Sequence, residues 1–174
     1  QKREKISSDE LGNFSFERKF LGLNELLAVK PSEIADHEDF VTSADALAAL
    51  KIAVGINPNP DPDSEGPLSP LPVSPYQYIA ADVNKDGRVT SADALAILKM
   101  AVNLGTSHPA RWIFIDERFD FWDASSNSGD GGFVTKATDV VWSDEVIRFN
   151  YPDNNIINLV GVLVGDVNGS ANLS

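Results

Sequence analysis

Oxygen-bearing side chains alternate along one short stretch of the chain, residues 82–93, which reads DVNKDGRVTSAD. Asp82, Asn84 and Asp86 occupy the first, third and fifth positions of this stretch, and Asp93 occupies the twelfth. Calcium binds roughly six to eight hard oxygen ligands, and alternate residues of a tight loop point inward to supply them. The chemistry that this pattern favours is therefore calcium binding.

The remaining positions of this stretch match an EF-hand calcium loop. Gly87 falls at position six, where the chain turns sharply, and Arg88 falls at position seven, where the backbone carbonyl is the ligand. Asp93 replaces the usual glutamate at position twelve, and its shorter side chain still reaches the ion if the following helix begins closer to it. The alternative is an Asp/Asn/Gly turn before a capped helix, and the complete spacing favours calcium.

The loop leads into a segment that occurs twice. Residues 41–54 and 89–102 are identical at twelve of fourteen positions, at a constant offset of 48, so one structural unit is repeated. Each copy begins with a threonine N-cap and an aspartate three residues later, as in Thr42 and Asp45, which predicts a capped helix. Short helices of this length are marginal alone, and the simplest partner for each is the other copy.

Leucine and valine recur at intervals of three and four along both predicted helices, which predicts an apolar stripe on each. The stripes consist of Leu47, Leu50 and Val54 in the first copy and Leu95, Leu98 and Val102 in the second. Gly55 and Gly105 are the predicted ends of the two helices.

The loop before the first helix is degraded. Aligned on Asp45, its first position is Ile34 and its sixth is Asp39, so the first carboxylate and the turning glycine are both absent. Asp36 and Glu38 remain at positions three and five. These changes favour a structural copy without calcium over a second metal site.

Two other acidic segments are weaker candidates for cation binding. Asp166 and Asn168 repeat the start of the calcium loop and then stop. They either donate to a site that is completed elsewhere or form a turn, and the turn is the favoured expectation. Several aspartates surround the aromatic segment 119–123, where an ordinary acidic loop is favoured over a cation site.

The repeated pattern D-x-N-x-D-G-x-V-T-S-x-D-A-x-x-x-L-K resembles the type I dockerin family over about residues 33–104. The resemblance implies a calcium-dependent module in which two loop–helix units pack about a pseudo-twofold axis and dock onto cohesin domains. It also implies which positions face the cohesin, and because the two copies match, either can dock. These positions are Ser91, Ala92 and Lys99 in the second copy and Ser43, Ala44 and Lys51 in the first.

The expected fold is α+β, with a dockerin-like pair of calcium-loop–helix repeats packed against a small antiparallel sheet, for which an immunoglobulin-like arrangement is one option. Residues 1–31 are expected to be N-terminal strands, 32–106 the repeat module with a proline-rich linker at 56–76, and 107–174 a C-terminal β-region. Strands are predicted at 12–20, 24–30, 111–117, 139–142, 145–151 and 156–164.

Composition and the absence of certain motifs argue against several classes of function. The chain has 26 acidic and 14 basic residues and a net charge of −12, so it repels phosphate backbones and is not expected to bind nucleic acid. It has no cysteine, which excludes disulfides and thiolate metal sites. No apolar run reaches about 18 residues, so membrane insertion is not expected. No catalytic motif is recognised, and hydrolysis by paired carboxylates is the only enzyme class left open.

We therefore expect a non-catalytic calcium-binding module that stabilises or anchors part of a larger extracellular, surface or adhesin-like protein. Its partners would be neighbouring domains of that protein. The alternative is a true dockerin that docks a cohesin domain to tether a polysaccharide-degrading enzyme. An exposed Ser-Ala…Lys face favours docking, whereas burial of that face under the C-terminal sheet favours the structural role.

Overall fold

The fold mixes short helices with small antiparallel sheets, which is the predicted α+β class. The computed structural model describes residues 4–10, 12–16, 21–30, 39–60, 71–119, 121–123, 132–133, 146–151 and 156–171. The helices in these ranges are α1 (Ser43–Ala53), α2 (Pro75–Ala81) and α3 (Ser91–Ala101). The strands are β1 (Gly22–Leu27), β2 (Arg111–Asp116), β3 (Trp122–Asp123), β4 (Gly132–Phe133), β5 (Val146–Tyr151) and β6 (Leu159–Val164).

Capping boxes determine where α1 and α3 begin, and both predicted boxes are confirmed. The Thr42 backbone N–H donates to the Asp45 carboxylate at 2.9 Å, and the Thr90 N–H donates to Asp93 at the same distance. Each threonine hydroxyl in turn accepts from a backbone N–H of the first helical turn. These bonds satisfy N–H groups that have no partner within the helix itself.

The two repeated helices end at equivalent left-handed residues. Gly55 follows α1 with a φ of +77°, as predicted, whereas α3 is followed by Asn103 with a φ of 53°. The predicted stop at Gly105 is wrong by two residues. Asparagine adopts the left-handed region more readily than most residues, so the same turn forms without glycine.

The faces that α1 and α3 bury are not the leucine stripes. The helices pack against each other, and the buried apolar residues of the two repeated segments are Val41, Ala46, Ala49, Val89, Ala94 and Ile97. The stripe residues are between 41% and 64% exposed. The prediction that each helix has the other copy as its partner is therefore confirmed, but the stripes are not the faces that they bury. The buried face carries three alanines and Ile97, and the leucines project away from it.

A third helix, α2, begins inside segment 56–76, which was predicted to be a proline-rich linker. Ser74 is its N-cap, Pro75 lies in its first turn, and the Gln77 side chain accepts from the Ser74 N–H at 3.0 Å. Proline suits the first turn because its missing N–H would have no helical partner there. The helix runs directly into Asp82, so loop 82–93 has a helix on each side.

The strands of the described residues form three two-stranded antiparallel sheets. β1, before the helices, pairs with β5, after them, and β2 pairs with β6. Residues 12–16 of the strand predicted at 12–20 are not a strand. The rest of that strand and the strand predicted at 139–142 lie outside the described residues. The immunoglobulin-like arrangement stays a prediction.

One hydrophobic core joins the helices to the β2–β6 sheet. Ile97 of α3, Ile113 of β2 and Val164 of β6 are all buried in it. β6 packs against α2, and the Gly165 N–H after β6 donates to the Ala80 carbonyl at 2.9 Å. The last strand, β6, therefore belongs to the same hydrophobic core as the helices.

The burial pattern predicts different costs for two adjacent truncations in α3. Ile97→Ala should lower the free energy of unfolding by about 2–4 kcal/mol, because the side chain is fully buried. Leu98→Ala should cost less than about 1 kcal/mol, because that side chain points outward. Urea unfolding of both variants measures the difference, and equal losses would contradict the assignment of the buried face.

Candidate calcium loop

Loop 82–93 lies between α2 and α3 and is held together by its own carboxylates. Asp82 Oδ1 accepts from the Asp86 backbone N–H at 3.1 Å, and Asp82 Oδ2 accepts from the Gly87 N–H at 2.8 Å. Asp86 Oδ1 accepts from the Arg88 N–H at 2.9 Å. The backbone is thereby folded around the side chains that the sequence predicted as ligands.

Asp93 connects the end of the loop to its beginning. One carboxylate oxygen caps α3, and the other lies 3.1 Å from the backbone nitrogen of Val83 and 3.4 Å from that of Asn84. The residue is almost fully buried. An aspartate at position twelve therefore reaches back across the loop despite its shorter side chain.

The sharp turn of the loop depends on Gly87, which has a φ of +82°. A Cβ atom on Gly87 would meet nothing within 4 Å, so glycine is required there by backbone conformation and not by space. The left-handed region costs other residues roughly 1–2 kcal/mol.

The carboxylates of the loop influence one another electrostatically. Burial raises the pKa of Asp82, and the N–H groups of Gly87 and Asp86 partly oppose this effect. The negative charges of Asp93 and Asp86 raise that pKa further. A divalent cation among these groups would offset their repulsion.

The donor set fits calcium by its chemistry. Within the described ranges, no three His, Cys, Asp or Glu side chains form a metal-binding group by themselves. Calcium loops also take oxygens from amides, backbone carbonyls and water. Here the Asn84 side chain and the Arg88 carbonyl stand at the positions that would supply them.

In the first copy, Asp45 occupies the place of Asp93. It is fully buried and caps α1 with one oxygen, while the other accepts from the backbone N–H of Asn168 at 2.9 Å. The other two predicted residues of that loop, Asp36 and Glu38, lie outside the described residues. The expectation that this first loop is a structural copy without calcium stays a prediction.

The segment after β6 also folds around a carboxylate. Asp166 accepts from the backbone N–H groups of Ser170 at 3.0 Å and Ala171 at 2.7 Å. Burial raises the pKa of Asp166, these N–H groups lower it, and the negative charge of Asp45 raises it. The structure therefore brings Asp166 and Asn168 to the start of α1. Sequence spacing could not show this, because the contact spans 123 residues.

The predicted partner-facing positions lie on or near the surface. Ser43, Ala44, Ser91 and Ala92 are exposed, and Lys51 and Lys99 are half-buried. In the other acidic segment, Asp116 pairs with Arg118. The neighbouring Asp120 lies outside the described residues.

These features define a helix–loop–helix motif with the residue spacing of a calcium loop and a second, pseudo-symmetric helix packed against it. Residues 36–103 match the family model described as dockerin type I domain, so this segment is a dockerin-like module and the predicted resemblance is confirmed. Type I dockerins generally bind calcium and dock cohesin domains. No curated protein and no solved structure matches the chain. None of the helices in the described ranges is long and apolar enough to cross a membrane.

The conformation of Gly87 gives a prediction that does not involve metal. Gly87→Ala should lower the free energy of unfolding in chelator by about 1–2 kcal/mol, because alanine is strained at this φ. Gly105→Ala is the matched control, since Gly105 has no positive φ and no atom close to its Cβ position. Denaturant unfolding in chelator tests the pair, and wild-type stability of Gly87→Ala would argue against the left-handed turn.

Proposed function

We propose that this chain is a non-catalytic, calcium-binding module that anchors part of a larger extracellular protein. The observation that carries the proposal is loop 82–93, in which the charges of Asp86 and Asp93 act on Asp82 and which lies within the segment that matches the dockerin family. Asp82, Asn84 and Asp86 would bind the ion through side chains, Arg88 through its carbonyl, and Asp93 through its carboxylate. The bound ion would hold together the ends of α2 and α3.

An extracellular location suits a loop of this kind. Calcium sites of extracellular modules have dissociation constants of about 10⁻⁴–10⁻³ M, which match calcium levels outside the cell. A ligand that binds only the folded state stabilises it by mass action. In this role, calcium acts as a structural component rather than as a signal.

A non-catalytic role agrees with how the acidic residues are used. Paired carboxylates are the one enzyme class that the composition leaves open. In loop 82–93, Asp82, Asp86 and Asp93 accept hydrogen bonds from backbone N–H groups of the loop or of the helix start. Their arrangement serves loop closure, and we assign no reaction to them.

Docking of a cohesin-like domain is the second candidate function, and the exposure of the leucine stripes favours it. Leu47 and Leu50 on α1 and Leu95 and Leu98 on α3 are between 41% and 56% exposed. Clustered apolar side chains at a surface mark interaction sites more often than isolated ones do. The exposed Ser-Ala pairs at the helix starts lie beside these stripes. A partner domain that recognises either copy would tether the parent protein.

Calorimetric calcium titration tests the first proposal. Asp82→Ala should lower calcium affinity about tenfold or more and lower the melting temperature in calcium, because position one loses its carboxylate. Asp36→Ala should have a much smaller effect, since its loop lacks the first carboxylate. An unchanged titration of Asp82→Ala would refute the site, and equal losses in both variants would show that the first loop also binds.

Binding to a type I cohesin domain, measured by calorimetry in calcium, tests the docking proposal. Leu50→Asp and Leu98→Asp should each be tolerated, because the other copy remains, and the double variant should lose binding. Leu71→Asp is the control, an exposed leucine outside the repeated helices. Equal cohesin binding by the double variant and the control would exclude this face.

A further inference from the structure

We propose that the chain has a second calcium site, which is split between the loop after β6, residues 166–171, and the start of α1. This inference rests on the proposed function, because loop 82–93 is its template. The first half of a calcium loop would come from 166–170, and the second half from Phe40–Asp45. The two halves are more than a hundred residues apart in the sequence.

Position one of the two loops has the same hydrogen bonds. In the template, Asp82 accepts from the N–H groups four and five residues later, at 3.1 and 2.8 Å. In the C-terminal loop, Asp166 accepts from the N–H groups four and five residues later, at 3.0 and 2.7 Å. Asn168 and Ser170 therefore take the places of Asn84 and Asp86.

Position twelve is also equivalent. Asp93 caps α3 and lies 3.4 Å from the nitrogen of Asn84, the third residue of its loop. Asp45 caps α1 and accepts at 2.9 Å from the nitrogen of Asn168, the third residue of the C-terminal loop. Both aspartates are buried. The contact between the third residue of the loop and the aspartate at position twelve lies within one segment in loop 82–93. In the split site, the same contact joins two segments.

Residues that are not ligands show the same equivalence. Gly169 and Lys85, at position four, are both left-handed, with φ values of 71° and 61°. Val167 and Val83, at position two, are both completely buried. Neither pair carries an acidic group, so the match is one of whole loops and not of a cluster of carboxylates.

Three oxygens meet at the junction of the two segments. Ser170 Oγ lies 3.2 Å from Asp166 Oδ1 and 3.3 Å from the backbone carbonyl of Phe40. Phe40 is the repeat equivalent of Arg88, at position seven, whose carbonyl is a ligand in such loops. One hydroxyl hydrogen can serve only one of these two acceptors at a time. A cation would bind all three oxygens at once.

The ligands of the split site predict which metal ion it binds and how tightly it binds that ion. Two carboxylates, one amide, one hydroxyl and one backbone carbonyl are hard oxygen donors, which suit calcium. The template has a third carboxylate, Asp86, where the split site has Ser170. Affinity in such loops depends on the number of charged ligands, so the split site should be the weaker of the two.

Calcium stoichiometry by calorimetry on the full chain distinguishes the two sites. The wild type should bind two ions, Asp82→Asn and Asp166→Asn one each, and the double variant none. If Asp82→Asn abolishes all binding, the split site is refuted and the proposed function stands. If only Asp166→Asn loses an ion, the split site stands and the loop 82–93 assignment fails.

A variant that gains calcium affinity distinguishes a residue that binds the ion from one that is needed only for folding. In the Asp82→Asn background, Ser170→Asp should raise the affinity of the remaining site about tenfold, because it restores the carboxylate of position five. Ser107→Asp adds the same charge at an exposed position away from the two segments and should not change it. Equal affinities of the two variants would overturn the split site.

Discussion

The structure depends on a buried aspartate at the start of each repeated helix. A charged carboxylate inside a protein is costly unless both of its oxygens are satisfied. Asp93 and Asp45 meet this condition in the same way, with one oxygen on the helix cap and the other on the backbone of a loop. The helix start and the loop therefore form together, and the position of one determines the position of the other.

Local spacing was enough to predict the features that form within about a dozen residues. The capping boxes, the turn at Gly87 and the positions of the loop residues could all be predicted, because each depends on residues that are close in sequence. Periodicity also found the leucine stripes, but it shows only which residues share a face. The buried face was the one with Ala46, Ala49, Ala94 and Ile97, and periodicity alone could not select it over the leucine face. Helix α2 had a signal of its own, the capping box of Ser74 and Gln77, within a segment dominated by proline.

The long-range contacts were beyond the reach of sequence reasoning. Nothing in the spacing of Asp166 and Asn168 indicates that they lie against Asp45, because the contact crosses the whole repeat module. The same holds for the pairing of β1 with β5, which joins strands on either side of that module. Such contacts form because distant segments pack into one hydrophobic core, and no single segment shows which other segment it will pack against.

The close packing around Gly165 shows that the segment matched by the family model packs against residues outside that segment. Gly165 has a φ of +106°, and a Cβ there would lie 3.1 Å from Met100 Sδ and 3.3 Å from Val41. The segment matched by the family ends at residue 103, before β6 and the glycine that follows it. A fragment cut at the family boundary would lose the packing of Gly165 against Val41 and would expose part of this buried side chain to water. The segment that the family model matches is therefore shorter than the hydrophobic core to which it contributes.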